Sequence, residues 1–305
     1  MRYIICQKAV IAVMLVLSFS PLFAQSPTLD AYLTAIRQNQ RPSAPQALWQ
    51  NPEQHPAVLQ ALSPYYTDTL SPVRAQAYYL AKQIGTHSQN EALRQQVVSR
   101  LTPGLRDPDP GIVGRVHSYL TAFDATDFSP AARQVVTSLL SQSPTHQSQL
   151  LKLVGTLDMT EQTATLQRLL PTLSARDRWA AQLALARLGD PEALATVLAQ
   201  VKQQPLNDDV VYEALPDLIY TRQKDALDYL VTIVQSDEKR CQSADPEEEQ
   251  NIRCGYRVLE LLAPVIADFP LSLDESGDLA VSDYPKALEE ARAWLEGHPD
   301  YEVIR

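Results

Sequence analysis

The stretch ARDRWAAQLALARLGDPEALATVLAQV, residues 175–201, decides the fold of this chain. In its first half, one apolar edge follows the i, i+3, i+4, i+7 spacing of a helix: Ala181, Ala184, Leu185 and Leu188. The second half repeats that spacing with Leu194, Val197, Leu198 and Val201. Each half therefore predicts a short helix with one apolar edge, which stays exposed unless another helix covers it.

The same spacing recurs in four further segments, which begin at Ala77, Val211, Leu227 and Val258. Pairs of a capping residue and a proline mark expected helix starts: Ser71-Pro72, Ser129-Pro130, Asp190-Pro191 and Asp245-Pro246. Gly85 and Gly189 are expected to end helices as left-handed caps. Alternating, strand-like patterns are nearly absent, so the sequence predicts an all-α protein.

Helix starts also define a repeat. The first helices of successive pairs are expected to begin near Ser71, Asp109, Thr145, Ser174, Asn207 and Asp245, at intervals of 29 to 38 residues. Asp158 to Glu161 and Ser174 to Asp177 have capping-box spacing, and Pro216 should kink the helix that contains it. One pair buries too little surface to be stable alone, so a right-handed α-solenoid of stacked antiparallel helix pairs is expected.

Residue identities indicate which helical repeat this is. A shift of 104 positions places SPVRAQAYYLAKQIG (71–85) on ARDRWAAQLALARLG (175–189), so that Arg74 meets Arg178 and Gly85 meets Gly189. This pattern resembles the HEAT-like repeat, including its phycobilisome-lyase type. The resemblance implies HEAT-like repeats over residues 54–268, with capping helices at 25–53 and a loop and final capping helix at 269–305. It implies a fold, and a fold alone carries no function.

The first 24 residues read as a cleaved secretory signal peptide. Arg2 and Lys8 precede an uncharged apolar run of 11 residues, 9–19, and cleavage is expected after Ala24. That run is too short for a membrane-spanning helix, which needs roughly 20 residues. We therefore expect a periplasmic or secreted bacterial protein with no permanent membrane insertion.

Removal of the signal leaves 24 basic and 36 acidic residues, a formal charge of −12. Nucleic acid is an unexpected partner for such a chain, because phosphate binding depends on clusters of Lys and Arg. Two cysteines remain, Cys241 and Cys254, and an oxidising compartment favours a disulfide between them. Two buried free thiols are the alternative, and a metal site is disfavoured because no histidine lies near the pair in sequence.

No sequence motif indicates catalysis. The five histidines, at 55, 87, 117, 146 and 298, are isolated in sequence from one another, and nucleophile-elbow, dinucleotide and Walker patterns are missing. His117 is interpreted as a solvent-facing or capping residue. The sequence therefore predicts no catalytic residue, no cofactor, no bound metal and no enzymatic activity.

Two functional hypotheses follow. The main prediction is an exported, non-enzymatic helical-repeat scaffold that binds a protein or peptide partner in the bacterial envelope, because solenoids present long curved surfaces. The alternative is an envelope enzyme, or a subunit of one, whose site is assembled from residues dispersed in sequence. A deep pocket with converging acids and a histidine would favour the alternative, whereas a smooth groove would not.

Overall fold

The apolar edges form short helices that lie side by side. The computed structural model describes residues 28–142, 144–243 and 250–304. In these ranges it contains fifteen α-helices and one two-stranded sheet, so the prediction of an all-α helical stack is confirmed. The expected signal peptide, with its cleavage after Ala24, lies outside the described residues.

The helices are short and follow one another closely. The first nine are α1 (Leu29–Arg37), α2 (Ala47–Gln50), α3 (His55–Ala61), α4 (Ser71–Thr86), α5 (Glu91–Leu101), α6 (Pro110–Leu120), α7 (Pro130–Leu140), α8 (Gln147–Thr156) and α9 (Thr163–Leu169). The others are α10 (Ala175–Arg187), α11 (Pro191–Lys202), α12 (Leu215–Thr221), α13 (Lys224–Gln235), α14 (Gly255–Leu262) and α15 (Tyr284–Gly297).

Short segments of other types connect them. Six 3-10 helices span Pro52–Gln54, Ser63–Thr67, Thr102–Arg106, Ala125–Asp127, Thr160–Gln162 and Leu170–Thr172, and a π-helix spans Val210–Ala214. Strands β1 (Lys239–Cys241) and β2 (Ile252–Arg253) pair antiparallel. Among the described helices, none has the length and apolar character needed to cross a bilayer.

The stack consists of two rows of helices. α4, α6, α8, α10, α12 and α14 pack one against the next, while α5, α11 and α13 pack on α4, α10 and α12 respectively. At the two ends, α1 and α2 pack on α4, and α15 packs on α13 and α14. The core follows the rows in two apolar clusters that meet at α10, where Leu183 belongs to one cluster and Ala184 to the other.

The arginine shared by the two matching segments has a common role. Arg74 donates to the carbonyl oxygen of Asp68 at 2.8 Å, and Arg178 donates to the carbonyl oxygens of Leu170 and Leu173, both at 3.0 Å. In both repeats the side chain therefore reaches back to the loop before its own helix and fixes how the chain enters that helix.

Arginine–aspartate ion pairs connect segments about one repeat apart: Arg37–Asp68, Arg74–Asp107 and Arg94–Asp127. The partners are 31, 33 and 33 residues apart in sequence. Arg74 contacts both carboxylate oxygens of Asp107, at 2.8 and 2.7 Å, and both side chains are buried. These pairs tie each repeat to its neighbour with directional, charge-assisted hydrogen bonds.

Several predicted helix ends are confirmed. The Ser174 hydroxyl accepts from the backbone N–H of Asp177, as a capping residue does, and α10 begins at the next residue. Gly189, with φ of 90°, follows α10 in the left-handed region. Asn207 accepts from the backbone N–H of Val210 at the start of the π-helix.

Other predicted ends are wrong. Gly85 lies inside α4, where a Cβ atom would collide with the ring of Phe123, so it serves close packing and does not end the helix. Asp158 does not open a capping box. It adopts a left-handed conformation, and the next 3-10 helix begins two residues later, at Thr160. At the first repeat the cap position is Leu70, and Ser71 is already helical. Asp245 lies outside the described residues.

Pro216 acts differently from the expected kink. It is the second residue of α12, where its missing N–H is tolerated. The turn before it widens into the π-helix, Val210–Ala214, which joins α12 without a break. The proline therefore changes the hydrogen-bonding pattern at the start of the repeat. A π-helix of this kind is rare and often lies at a functional site.

His117 is buried and not solvent-facing or capping as predicted. Only 3% of the residue is exposed, and its Nδ1 atom has no hydrogen-bond partner among the described residues. Burial, and to a smaller extent the neighbouring His146, lowers its pKa from 6.5 to about 4. His117 is therefore a neutral core residue at physiological pH.

Candidate functional site

A cavity of about 640 Å³ lies where four helices of the first row end. Its walls come from residues 121–125 after α6, 152–158 at the end of α8, Arg187 at the end of α10, and 220–223 at the end of α12. Residues about 100 positions apart therefore meet because stacked repeats align their helix ends. A cavity of this size is in the range of small-molecule sites.

Tyr220 forms the floor of the cavity. Its hydroxyl donates to the carbonyl oxygen of Lys152 on α8, and Gly155 makes this approach possible because a Cβ there would collide with the hydroxyl. Burial raises the pKa of Tyr220 above its ordinary value of 10. Tyr220 is thus a neutral side chain that holds α8 and α12 together.

Two cations flank this tyrosine. Lys152 forms an ion pair with Asp217 at 2.7 Å, and Asp217 also accepts from the indole N–H of Trp179 at 2.6 Å. Arg187 donates to the carbonyl oxygen of Tyr220 at 2.6 Å. The Lys152 ammonium and the Arg187 guanidinium lie 5.4 and 5.2 Å from the centre of the Tyr220 ring, where its negative face attracts them.

Arg222 is a third cation on the wall, and it is held differently. It follows α12 with φ of 54°, the left-handed region that side chains other than glycine rarely adopt. Its Nε and Nη1 atoms are buried and have no hydrogen-bond partner among the described residues. Burial, and then the charge of Arg187, lowers the pKa of its guanidinium.

The chemistry of the cavity is that of a binding site for oxygen acceptors. Lys152, Arg187 and Arg222 supply N–H donors, and Asp124 and Asp158 supply carboxylates at the rim. The residues that line it include no histidine and no cysteine. The cavity can hold and orient a substrate group.

The histidines lie elsewhere and do not converge on a site. His55 and His146 each bond a backbone carbonyl oxygen at 2.8 Å, that of Trp49 and that of Pro110. His298 stacks on the ring of Trp294. In the described ranges, no cluster of three or more His, Cys, Asp or Glu side chains could hold a metal ion.

Cys241 and Cys254 are close together in the core. Their sulfur atoms are 2.05 Å apart, at bonding distance, and both residues are buried. The pair links β1 to the residue before α14, beside the two-stranded sheet. The sequence analysis did not predict this sheet, because its strands are only three and two residues long. Whether the pair is oxidised in the native protein stays a prediction.

Sequence reasoning did not find the cavity. Arg187 and Arg222 lie at the ends of α10 and α12, where a positive charge is ordinary because it interacts favourably with the helix dipole, and Lys152 lies inside α8. The prediction of no catalytic residue was made from motifs, and motifs do not register residues that meet only after stacking. The site expected from dispersed residues was one of acids and a histidine; this cavity instead brings three cations together, and its lining includes no histidine.

These features define the fold: the described chain is an all-α stack of helical repeats, and its resemblance to the HEAT-like repeat is one of fold. No protein-family model and no curated protein matches it. A solved structure that it resembles is the complex of CpcE and CpcF of phycocyanin lyase from Nostoc sp. PCC7120. The identity is 16%, the match covers 89% of this chain and 91% of that chain, and the TM-score is 0.48.

This comparison corrects the main functional prediction. The matched structure is a complex from a lyase; the predicted non-enzymatic scaffold is contradicted by it and is not retained. The likeness concerns the helical repeat, and the proposals below rest on the residues of this chain.

Proposed function

We propose that the protein is an enzyme, or a subunit of an enzyme complex, that receives part of its substrate in the cavity at the ends of α6, α8, α10 and α12. The observation that carries this proposal is the convergence of Lys152, Arg187, Tyr220 and Arg222 from three separate repeats on one cavity. Binding sites are concave and present a few well-placed polar groups.

The arrangement of the donors supports substrate binding over a purely structural role. Lys152 and Arg187 already bond groups of the protein, which fixes their positions before a ligand arrives. Preorganised donors lower the cost of ordering side chains on binding.

The test compares two matched variants. Thr156 lines the cavity, and its hydroxyl bonds the carbonyl oxygen four residues earlier; Thr196 makes the same bond on the exposed face of α11. Thr156→Trp should fill the cavity, while Thr196→Trp adds the same side chain elsewhere. Wild type and both variants are incubated with small molecules extracted from the native cell, alone and with proteins cross-linked to the chain there, and compounds consumed or retained are identified by mass spectrometry.

We expect wild type and Thr196→Trp to consume or retain the same compound, and Thr156→Trp to lose that property while its circular dichroism stays helical. A compound that Thr156→Trp handles as well as wild type would contradict the proposal. So would the failure of wild type to change any compound, both alone and in the cross-linked complex.

We further propose export through residues 1–24, with the Cys241–Cys254 disulfide formed in an oxidising compartment. The apolar run after Arg2 and Lys8 supports export, and the Cα atoms of the two cysteines lie 5.1 Å apart, within the range that a disulfide spans. The intact mass of the exported chain should begin at Gln25 and should not increase with a thiol-alkylating reagent unless a reductant is added first. A retained Met1 would contradict export, and alkylation without reductant would contradict the disulfide.

A further inference from the structure

The unpaired donors of Arg222 are the feature that the fold does not explain. The guanidinium is half-buried at the cavity wall, and its Nε and Nη1 atoms are shielded from solvent without a partner among the described residues. A buried donor that lacks a partner is destabilising, so such groups are rare in folded proteins. An arginine in this state is expected to meet an acceptor supplied from outside the chain.

The acceptors around Arg222 are engaged with other groups. The carbonyl oxygen of Tyr220 accepts from Arg187, and the carbonyl oxygen of Arg187 accepts from the Gln223 amide. The Asp217 carboxylate bonds Lys152 and Trp179. Arg222 is therefore not needed to satisfy the ends of the helices around it.

Arg222 also has no carboxylate partner among the described residues. Arg187 lies close enough to Arg222 to lower its pKa, in addition to the larger effect of burial. Lys152 lies on the other side of Tyr220. Asp124 and Asp158 are exposed at the rim, and neither forms an ion pair with Arg222 within the described residues. Arg222 thus has no carboxylate partner within the described residues, and the carbonyl ends of the helices are what its charge meets at the cavity.

The backbone at this position gives a second, independent reason. Residue 222 has φ of 54°, where glycine or asparagine is normally found at the end of a helix. An arginine there strains the backbone and leaves donors unpaired, and residues held in such conformations cluster at ligand sites. Both costs become understandable when the side chain binds a ligand.

We infer that the cavity binds an oxyanion, a carboxylate or phosphate group of the substrate, whose oxygens accept from the unpaired N–H groups of Arg222. This inference rests on the proposed function and names the chemical class of its substrate. Guanidinium groups bind both kinds of anion through charge-assisted hydrogen bonds. Arg187 and Lys152 line the same cavity.

Calorimetric titration with inorganic phosphate and, separately, with acetate tests this inference and distinguishes the two sources of the anion. Ionic strength is held constant with sodium chloride. The key variant is Arg222→Gly, which removes the side chain but suits the left-handed backbone, so loss of folding is not expected. Arg176→Ala is the matched control, because Arg176 is an exposed arginine away from the cavity.

We expect saturable binding of at least one anion to wild type, unchanged in Arg176→Ala and weakened about tenfold or more in Arg222→Gly. No binding of either anion to wild type would overturn the inference, and so would equal binding to Arg222→Gly. If the anions fail to bind while Thr156→Trp still blocks the handling of a compound, the oxyanion is wrong and the proposed function stands. The reverse result would overturn the proposed function alone.

Discussion

At the scale of single residues, we expect Arg222 to support anion binding and to lower the stability of the folded protein. The left-handed backbone disfavours any residue with a Cβ atom by roughly 1 kcal/mol. Arg222→Gly should therefore raise the free energy of unfolding by about 1 kcal/mol, with a further gain from removing a half-buried charge. Urea denaturation monitored by circular dichroism measures this change.

A matched control should change the free energy of unfolding in the opposite direction. Gly189 also has positive φ, 90°, and a Cβ there would meet no atom within 4 Å. Gly189→Ala should therefore destabilise the protein through backbone strain alone. Equal effects of the two substitutions would contradict the conformational explanation.

The buried ion pair between Arg74 and Asp107 predicts a large effect. Asp107→Ala removes the carboxylate and leaves the buried Arg74 guanidinium with the carbonyl oxygen of Asp68 as an acceptor. We therefore expect a loss of about 3 kcal/mol in the free energy of unfolding. Glu238→Ala removes one partner of the exposed Arg240–Glu238 pair and should cost less than about 1 kcal/mol. Similar losses for both variants, measured by urea denaturation, would contradict the assigned role.

His117 predicts a dependence of stability on pH. Its pKa is about 4 in the folded protein and 6.5 as an ordinary value, so between these limits the unfolded chain takes up a proton that the folded chain does not. Stability is thus full above about pH 6.5 and falls as the pH drops towards 4, by about 3 kcal/mol from this residue.

His117→Leu removes the titrating group and leaves an apolar side chain in the core. As the pH is lowered from 7 to 4, we expect the unfolding free energy of wild type to fall by about 3 kcal/mol relative to that of His117→Leu. A difference that stays constant over this range, measured from urea midpoints, would show that His117 is not buried as a neutral group.

Residues whose role is local could be predicted from the sequence. Ser174 accepts from a backbone N–H three positions away, and Gly189 follows the last turn of the same helix. The signal for both roles therefore lies in the neighbouring sequence. Gly85 and His117 could not be predicted, because their roles depend on Phe123 and on a repeat that packs against them. Arg222 was missed for the same reason.

At the scale of elements, the contact between α8 and α12 depends on Gly155. An added methyl group would collide with the Tyr220 hydroxyl and press on the backbone of Ala184 in α10. Gly155→Ala should therefore cost about 1 to 3 kcal/mol through overpacking. Thermal and urea unfolding measure this loss.

Two comparisons isolate the cause. Tyr220→Phe removes the hydroxyl, so the double variant should recover part of the stability lost in Gly155→Ala. Gly297→Ala should cause no loss, because a Cβ at the end of α15 meets no atom within 4 Å. An unchanged loss in the double variant would place the clash elsewhere.

Helices could be predicted better than the segments between them. A stripe such as Leu227, Leu230, Val231 and Val234 repeats often enough to define α13 without its neighbours. The π-helix before Pro216 and the hairpin of β1 and β2 have no comparable period. The helix expected from Asp245 lies outside the described residues, and the next described helix, α14, begins at Gly255.

At the scale of the whole molecule, stacking creates the site. No single repeat contains the cavity, because α6, α8, α10 and α12 each contribute only the residues at one end. A ligand in the cavity should therefore stabilise four segments distant in sequence at once. The fold class could be predicted from periodicity, whereas this convergence depends on how far each repeat rotates relative to the last, which no local pattern encodes.

Hydrogen–deuterium exchange with and without a saturating oxyanion, inorganic phosphate or acetate, tests whether four stacked repeats build a single binding site. When the anion is bound, we expect slower exchange at residues 119–125, 150–158, 185–189 and 218–224 together, and no change at residues 29–61. Protection confined to one of the four segments, or absent from all of them, would contradict a single site built by four stacked repeats.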